Sequence, residues 1–264
     1  MGKIIGICNQ KGGTGKTTTA INLSFYFTLS AKKILLVDMD PQGNATSGIG
    51  FDNQDKKTIY DLISGTSDIK ENIYQTKWPN LYIIPSSVSL TGAEIELVNI
   101  QNREQRLKEE LYKIKEDFSY IFIDAPPSLG LLTLNVLATS DSLIIPIQCE
   151  YYALEGVSSL LHTIELVRER LNQNLEIDGF LLTMADFRTK LTLQVIEEVR
   201  KFFKEKTFNT IIPRNIKLAE APSFGKPIYC YDPFCVGAKA YLNLAEEILK
   251  EKLNVEYLQE EIKQ

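Results

Sequence analysis

Residues 9–23 read "NQKGGTGKTTTAINL". A phosphate-binding loop of the form G-x-x-x-x-G-K-[ST] ends as this stretch does, in Gly15-Lys16-Thr17, but its first glycine should fall at residue 10, which is Gln10. An additional lysine, Lys11, stands beside it, followed by Gly12 and Gly13. The loop, residues 9–18, lies between the apolar run from Lys3 to Cys8 and an apolar, helix-like stretch from Lys16 to Leu29. A strand, a glycine loop and a helix in that order cradle phosphates. Glycines let backbone N–H groups approach the oxygens, and the helix N-terminus adds the positive end of its dipole. Gly12, Gly13, Thr14, Gly15 and Thr18 are therefore expected to line the phosphates. Lys16 should reach the β- and γ-phosphates, and the Thr17 hydroxyl should ligate Mg²⁺.

Outward from the loop, short apolar runs alternate with amphipathic stretches. Strands are predicted at Lys3 to Cys8, Ile34 to Val37, Leu81 to Ile84, Tyr120 to Ile123, Leu143 to Ile147, Ile177 to Met184 and, briefly, Thr210 to Ile212. Helices are predicted at Lys16 to Leu29, Arg103 to Lys115, Leu154 to Leu171, Leu191 to Phe203 and Ala238 to Leu249, with a loop and a short helix after Gly50. This alternation predicts an α/β fold: a mostly parallel, twisted sheet of about seven to eight strands with helices on both faces. No repeat or linker-like segment interrupts it, so residues 1–264 are expected to form a single P-loop NTPase domain.

In such a sheet ligands bind beyond the carboxyl ends of the strands, and two acidic motifs fall there. In "LLVDMDPQGNATSGIG", Leu35 to Gly50, Asp38 and Asp40 are two residues apart at a strand end. A carboxylate here can hold a water for in-line attack or sit in a magnesium's outer shell. In "YIFIDAPPSLG", Tyr120 to Gly130, an apolar strand ends in Asp124, the pattern of an acid that holds Mg²⁺ directly or through water.

Composition narrows the classes. No apolar run approaches the roughly 20 residues of a membrane span. The four cysteines include no C-x-x-C pair and read as reduced cytosolic thiols. With His162 the only histidine, a histidine-based triad or a multi-histidine metal site within the chain is excluded. The net charge of −5 is unevenly placed: residues 186–239 hold ten Lys/Arg against six Asp/Glu, a local +4, so the remainder carries −9. A basic face on an acidic body is enough for contacts to nucleic-acid phosphates.

The stretches "KGGTGKTT", "LLVDMDPQGNATSG", "IDAPPSLG", "RTKLTLQVIEEVR", "TIIPRNIKLAEAPSFGKPI" and "YDPFCVGAKAYLNLAEEI" resemble the ParA/Soj family of DNA-partition ATPases, within the deviant Walker-A group of P-loop proteins. The likeness runs over nearly the whole chain. It implies ATP and Mg²⁺ as cofactors, an ATP-dependent homodimer, non-specific binding of double-stranded DNA by that dimer, and hydrolysis stimulated by a ParB/Spo0J-type partner. A cytoplasmic, nucleoid-associated protein is expected. By the same resemblance Lys11 is the signature lysine that reaches the phosphates held by the other subunit, Asp40 positions the attacking water, and Asp124 is the Walker-B acid. Pro213 and Asn215 match segments that contact adenine, and Arg188 and Lys217 match positions used on DNA. The chain departs from the family pattern at Val236, where relatives carry a basic residue, and at Cys235, which replaces a serine; weaker DNA affinity is the expectation. The chain opens almost directly on the first strand, so a preceding helix-turn-helix and sequence-specific operator binding are not expected.

The main alternative is a MinD-like ATPase that positions a partner on a membrane. Such proteins end in a basic amphipathic helix. Here the closing "EEILKEKLNVEYLQEEIKQ" holds six acids and three lysines, the wrong sign for anionic lipid.

Overall fold

The computed structural model describes residues 2–255, apart from 31 and 152; most of the acidic tail from residue 256 onward, on which the membrane alternative turns, lies outside the described residues. The strands are β1 (Lys3–Ile7), β2 (Ile34–Asp38), β3 (Tyr74–Gln75), β4 (Leu81–Ile84), β5 (Tyr120–Asp124), β6 (Ser142–Gln148) and β7 (Glu176–Thr183). They form one seven-stranded sheet in the order β3-β4-β2-β5-β1-β6-β7, parallel throughout except for the antiparallel β3–β4 pair. The central strands are buried along almost their full length. Continuous Ile/Leu/Val runs therefore form strands here without alternation: both faces of the sheet are covered.

One layer over the sheet is built by α1 (Lys16–Thr28) packed on α11 (Val236–Leu249), with the short α2 (Asn44–Gly48), α9 (Ile216–Glu220) and α10 (Ile228–Tyr231) beside them. The other contains α3 (Ile59–Ser64), α4 (Leu90–Glu96), α5 (Arg106–Leu111), α6 (Leu131–Thr139), α7 (Glu155–Arg170) and α8 (Lys190–Phe203). Each layer has its own apolar core, with Phe25, Tyr26, Phe27 and Tyr241 fully buried in the first.

Two expectations are corrected. Thr210 to Ile212 is not a strand: Ile212 exchanges backbone bonds with Leu182 and Ala185, and the only bridges to β7 and its extension flank the segment, at Thr207 and Pro213, among the described residues. The reason is that Glu247 of α11 accepts the amides of Asn209 (2.7 Å) and Thr210 (2.9 Å), taking donors a ladder would need. The helix expected from Arg103 to Lys115 shrinks to α5. Asn135 of α6 accepts the Leu107 amide at 3.1 Å and donates to the Arg103 carbonyl at 2.8 Å, so a side chain from another helix caps and splits the segment. The helix α6 itself, buried along most of its length, carries no amphipathic period to betray it.

Candidate functional site

The loop between β1 and α1 lies at the carboxyl edge of the sheet, where β2, β5 and β7 also end. Its shape rests on two glycines with left-handed backbones, Gly13 (φ 73°) and Gly15 (φ 89°), a conformation any side chain would strain. The loop is pinned from below. Asn9 donates to the Pro146 carbonyl (2.7 Å) and accepts the Lys11 amide (2.9 Å), while Thr183, the last residue of β7, donates to the Thr14 carbonyl at 2.8 Å. Thr183 was not singled out by the sequence; its only signal was its place at the end of a predicted strand.

The two lysines of the loop have opposite situations. Lys16 is buried, and its Nζ donates to the Lys11 carbonyl at 3.0 Å, within its own loop. Burial lowers its pKa, and the nearby Asp124 carboxyl pulls it back up. Lys11 leaves the lip of the loop with its side chain 42% exposed and forms an ion pair of 3.8 Å with Glu150.

Asp38 and Asp40, adjacent in the sequence pattern, part company in space. Asp38 is fully buried and accepts the amides of Asp40 (3.1 Å) and Thr46 (2.8 Å) and the Thr46 hydroxyl (2.7 Å); Thr46 Oγ1 in turn accepts the Ser86 amide at 3.0 Å. It is the anchor of the β2–α2 loop. Burial pushes its pKa up to about 6 against those bonds. Asp40 instead lines the cleft, its Oδ1 accepting the Gln42 amide at 3.0 Å.

Asp124 pairs in register with Asp38 across β2 and β5, and its buried carboxylate oxygens, beside the Thr17 hydroxyl, make no well-formed hydrogen bond among the described residues. Burial first, then the Asp38 carboxyl, hold its pKa well above the ordinary carboxylate range, with the neighbouring Thr17 hydroxyl and Lys16 opposing. An orphaned buried carboxyl beside a hydroxyl and a lysine is what a hard cation bound to phosphates would complete. Among the described residues no cluster of three or more His, Cys, Asp or Glu forms a metal cage. That fits Mg²⁺, which keeps its waters and takes one or two protein ligands plus phosphate oxygens.

A cleft of about 560 Å³ is lined by the loop from Gly12 to Thr18, by Asp40 and Gln42, and by Met184, Leu218 and Ala219. A narrower pocket of about 290 Å³ adjoins it through Gly15 and Thr18, and Pro213 and Asn215 line it with Thr183, Met184 and Tyr241. The structure thus brings Pro213 and Asn215, 200 residues beyond the loop in sequence, to its side. Asn215 also caps α9, its Oδ1 accepting the Leu218 amide at 3.3 Å. The two spaces together accept a group with several phosphates in the wide part and a flat, less polar group in the narrow one.

Arg188 and Lys217 lie outside this cleft, on segments that run out of it. Arg188 follows Met184, whose backbone is left-handed (φ 53°), and Lys217 precedes Leu218 on α9. The Ala185–Pro213 bridge and the bond from the Arg214 amide to the Ala185 carbonyl (3.0 Å) tie the two segments together.

The fold and this loop define a P-loop nucleotide-binding protein with a second lysine at the loop's lip. A family model described as an AAA domain matches residues 2–177. The chain is 55% identical to the sporulation initiation inhibitor protein Soj of Bacillus subtilis over 94% of its length and 98% of that protein's. It is 53% identical to the chromosome partitioning protein ParA of Myxococcus xanthus, covering 95% and 89% of the two chains. Among solved structures, a cobyrinic acid a,c-diamide synthase from Mycobacterium smegmatis with bound ATP analogue and magnesium superposes with a TM-score of 0.85 at 32% identity, over 95% of each chain. The chain belongs to the ParA/Soj family of partition ATPases, and it is an ATPase. No helix among the described residues is long and apolar enough to cross a membrane.

Proposed function

We propose that residues 1–264 act as one ParA-type ATPase domain that sandwiches ATP between two copies of itself and, as that dimer, holds DNA without regard to base sequence. Hydrolysis, stimulated by a ParB-type partition protein, ends the state. The setting is the cytoplasm, on the nucleoid. The observation that carries the reading is the division of labour between the lysines: Lys16 is withdrawn into its own loop, whereas Lys11 projects from the lip, partly exposed, on a long ion pair to Glu150.

ATP is bound with Mg²⁺. Backbone amides of residues 12–18 and Lys16 would hold the phosphates; the Thr17 hydroxyl and, through water, Asp124 would hold Mg²⁺. The base lies toward Pro213 and Asn215. Mg²⁺ held there would supply positive charge against the phosphates. Asp40 orients water in line with the γ-phosphate, and Lys11 from the other copy stabilises the transferring group's charge. Two loop mouths, each carrying Lys11 and Lys16, repel when empty. The triphosphate between them removes the repulsion, so binding favours the dimer and loss of the γ-phosphate weakens it. Arg188 and Lys217 supply phosphate contacts, and dimerisation doubles them on one rigid body, which raises the effective concentration of the second set.

Sedimentation with ATP, ADP and no nucleotide, with and without duplex DNA, tests the reading. A dimer and DNA co-sedimentation are expected with ATP alone. A monomer in ATP, or equal DNA binding in ADP, overturns it. Binding to anionic vesicles instead of DNA would favour the membrane-positioning alternative.

A further inference from the structure

Both cations assigned above to DNA are already engaged by carboxylates of their own chain. Arg188 is 87% exposed, yet its guanidinium makes two parallel bonds to Asp186: Nε to Oδ1 at 2.7 Å and a terminal nitrogen to Oδ2 at 2.6 Å. Lys217 pairs with Glu220 at 3.2 Å, one helical turn away on α9, and lies 5.4 Å from the centre of the Tyr231 ring. Tyr231 completes that arrangement by donating its hydroxyl to Glu220 at 2.9 Å.

Each acid also makes one local bond: Asp186 Oδ1 accepts the Arg188 amide at 3.2 Å, and Glu220 accepts the Tyr231 hydroxyl. Of the contacts at Asp186, the Thr189 amide and hydroxyl use its backbone carbonyl and leave its carboxylate to Arg188. Isolated surface pairs contribute little, but two-pronged arginine–carboxylate pairs are the exception. A phosphate approaching Arg188 must displace an acceptor of the same charge and the same forked geometry. We propose that Asp186 and Glu220 are the affinity-setting residues of the DNA face: internal competitors that hold Arg188 and Lys217 paired, so that one subunit's contacts fall short and the doubled set of the dimer is needed to win. This rests on the DNA reading given above.

The consequence is counter to simple charge matching, since removal of two acids that touch no nucleic acid strengthens binding. Asp186→Asn keeps an oxygen for the Arg188 amide, and Glu220→Gln keeps one for the Tyr231 hydroxyl, so the local folds are preserved. Each substitution should tighten ATP-dependent binding to a random-sequence duplex about two- to five-fold at moderate salt. Each should also steepen the dependence of log affinity on log salt, by up to about 0.9. Basal ATPase activity should not change. A double-mutant cycle separates displacement of a partner from a general gain in charge: with Arg188→Ala in the background, the gain from Asp186→Asn should disappear.

A wild-type dimer that binds duplex, with variants that bind it no more tightly, overturns the competitor role and leaves the DNA reading standing. A gain that persists in the Arg188→Ala background also overturns it, since the effect is then net charge alone. If the wild-type ATP dimer does not bind duplex at all, the DNA reading itself fails.

Discussion

In the nucleotide cleft Lys16, Asp38 and Asp124 are withdrawn from water, and the loop above them is pinned by Asn9 and Thr183. On the adjoining face Arg188 and Lys217 stand in solvent, each held by a carboxylate within four residues of it. Burial makes the first region strongly dependent on single groups, because a charge left unpaired away from water is costly. Exposure makes the second depend on sums, because each contact is screened and replaceable. The first suits one ligand held in one geometry; the second suits any duplex.

The sharpest way to break the contrast lies within the loop itself. Lys16→Ala should cost most of the nucleotide affinity: truncating one partner of a desolvated charge pair costs about 2–5 kcal/mol, roughly 30- to 4,000-fold in affinity. Lys11→Ala should keep appreciable ATP affinity and lose hydrolysis and stable dimerisation. Titration with a fluorescent ATP analogue checks both, and equal losses of affinity would place Lys11 in its own subunit's site. Asp40→Ala should follow next, with turnover lower by a factor of about 10² to 10⁴ while ATP binding and the dimer persist. Wild-type turnover, or a monomer in ATP, would move the water-positioning role elsewhere.

A smaller effect concerns protons. Asp124 is held well above the usual carboxylate range by burial and by Asp38. A carboxyl raised in the folded state contributes stability at acid pH, and that contribution is lost as pH rises through the folded value. Mg²⁺ requires the deprotonated form, so Mg²⁺–nucleotide affinity should run the opposite way, improving with pH over the same interval by at most about tenfold per unit. Calorimetry in buffers of different ionisation enthalpy should show proton release on binding, largely absent in Asp124→Asn. The smallest effect belongs to the exposed face. Lys217→Ala should weaken binding to all duplexes alike and flatten the salt slope by about 0.9 per lost contact. A changed sequence preference would contradict a face that reads only phosphates.

The same contrast governs what could be read in advance. The glycine loop, its two lysines and Asp124 were legible because their chemistry is local: spacing along a strand, a tight turn and a helix start fixes where those groups sit. The parallel sheet was equally legible from runs buried on both faces. Thr210 to Ile212 and the Arg103 segment depart from their local pattern because remote side chains, Glu247 and Asn135, claim backbone groups there. Tertiary hydrogen bonds there outweigh local propensity.

Asp38 and Asp40 mark the boundary most clearly. The sequence by itself determined that two acids stand at the end of β2, near a phosphate loop. Only the folded chain decided that Asp38 turns inward to hold Thr46 while Asp40 faces the cleft, because Thr46 and Ser86 arrive from other segments. The sequence likewise determined a surplus of cations between residues 186 and 239. Which of them are already paired was decided in three dimensions, since an ion pair depends on side-chain reach and direction, which spacing along the chain leaves open.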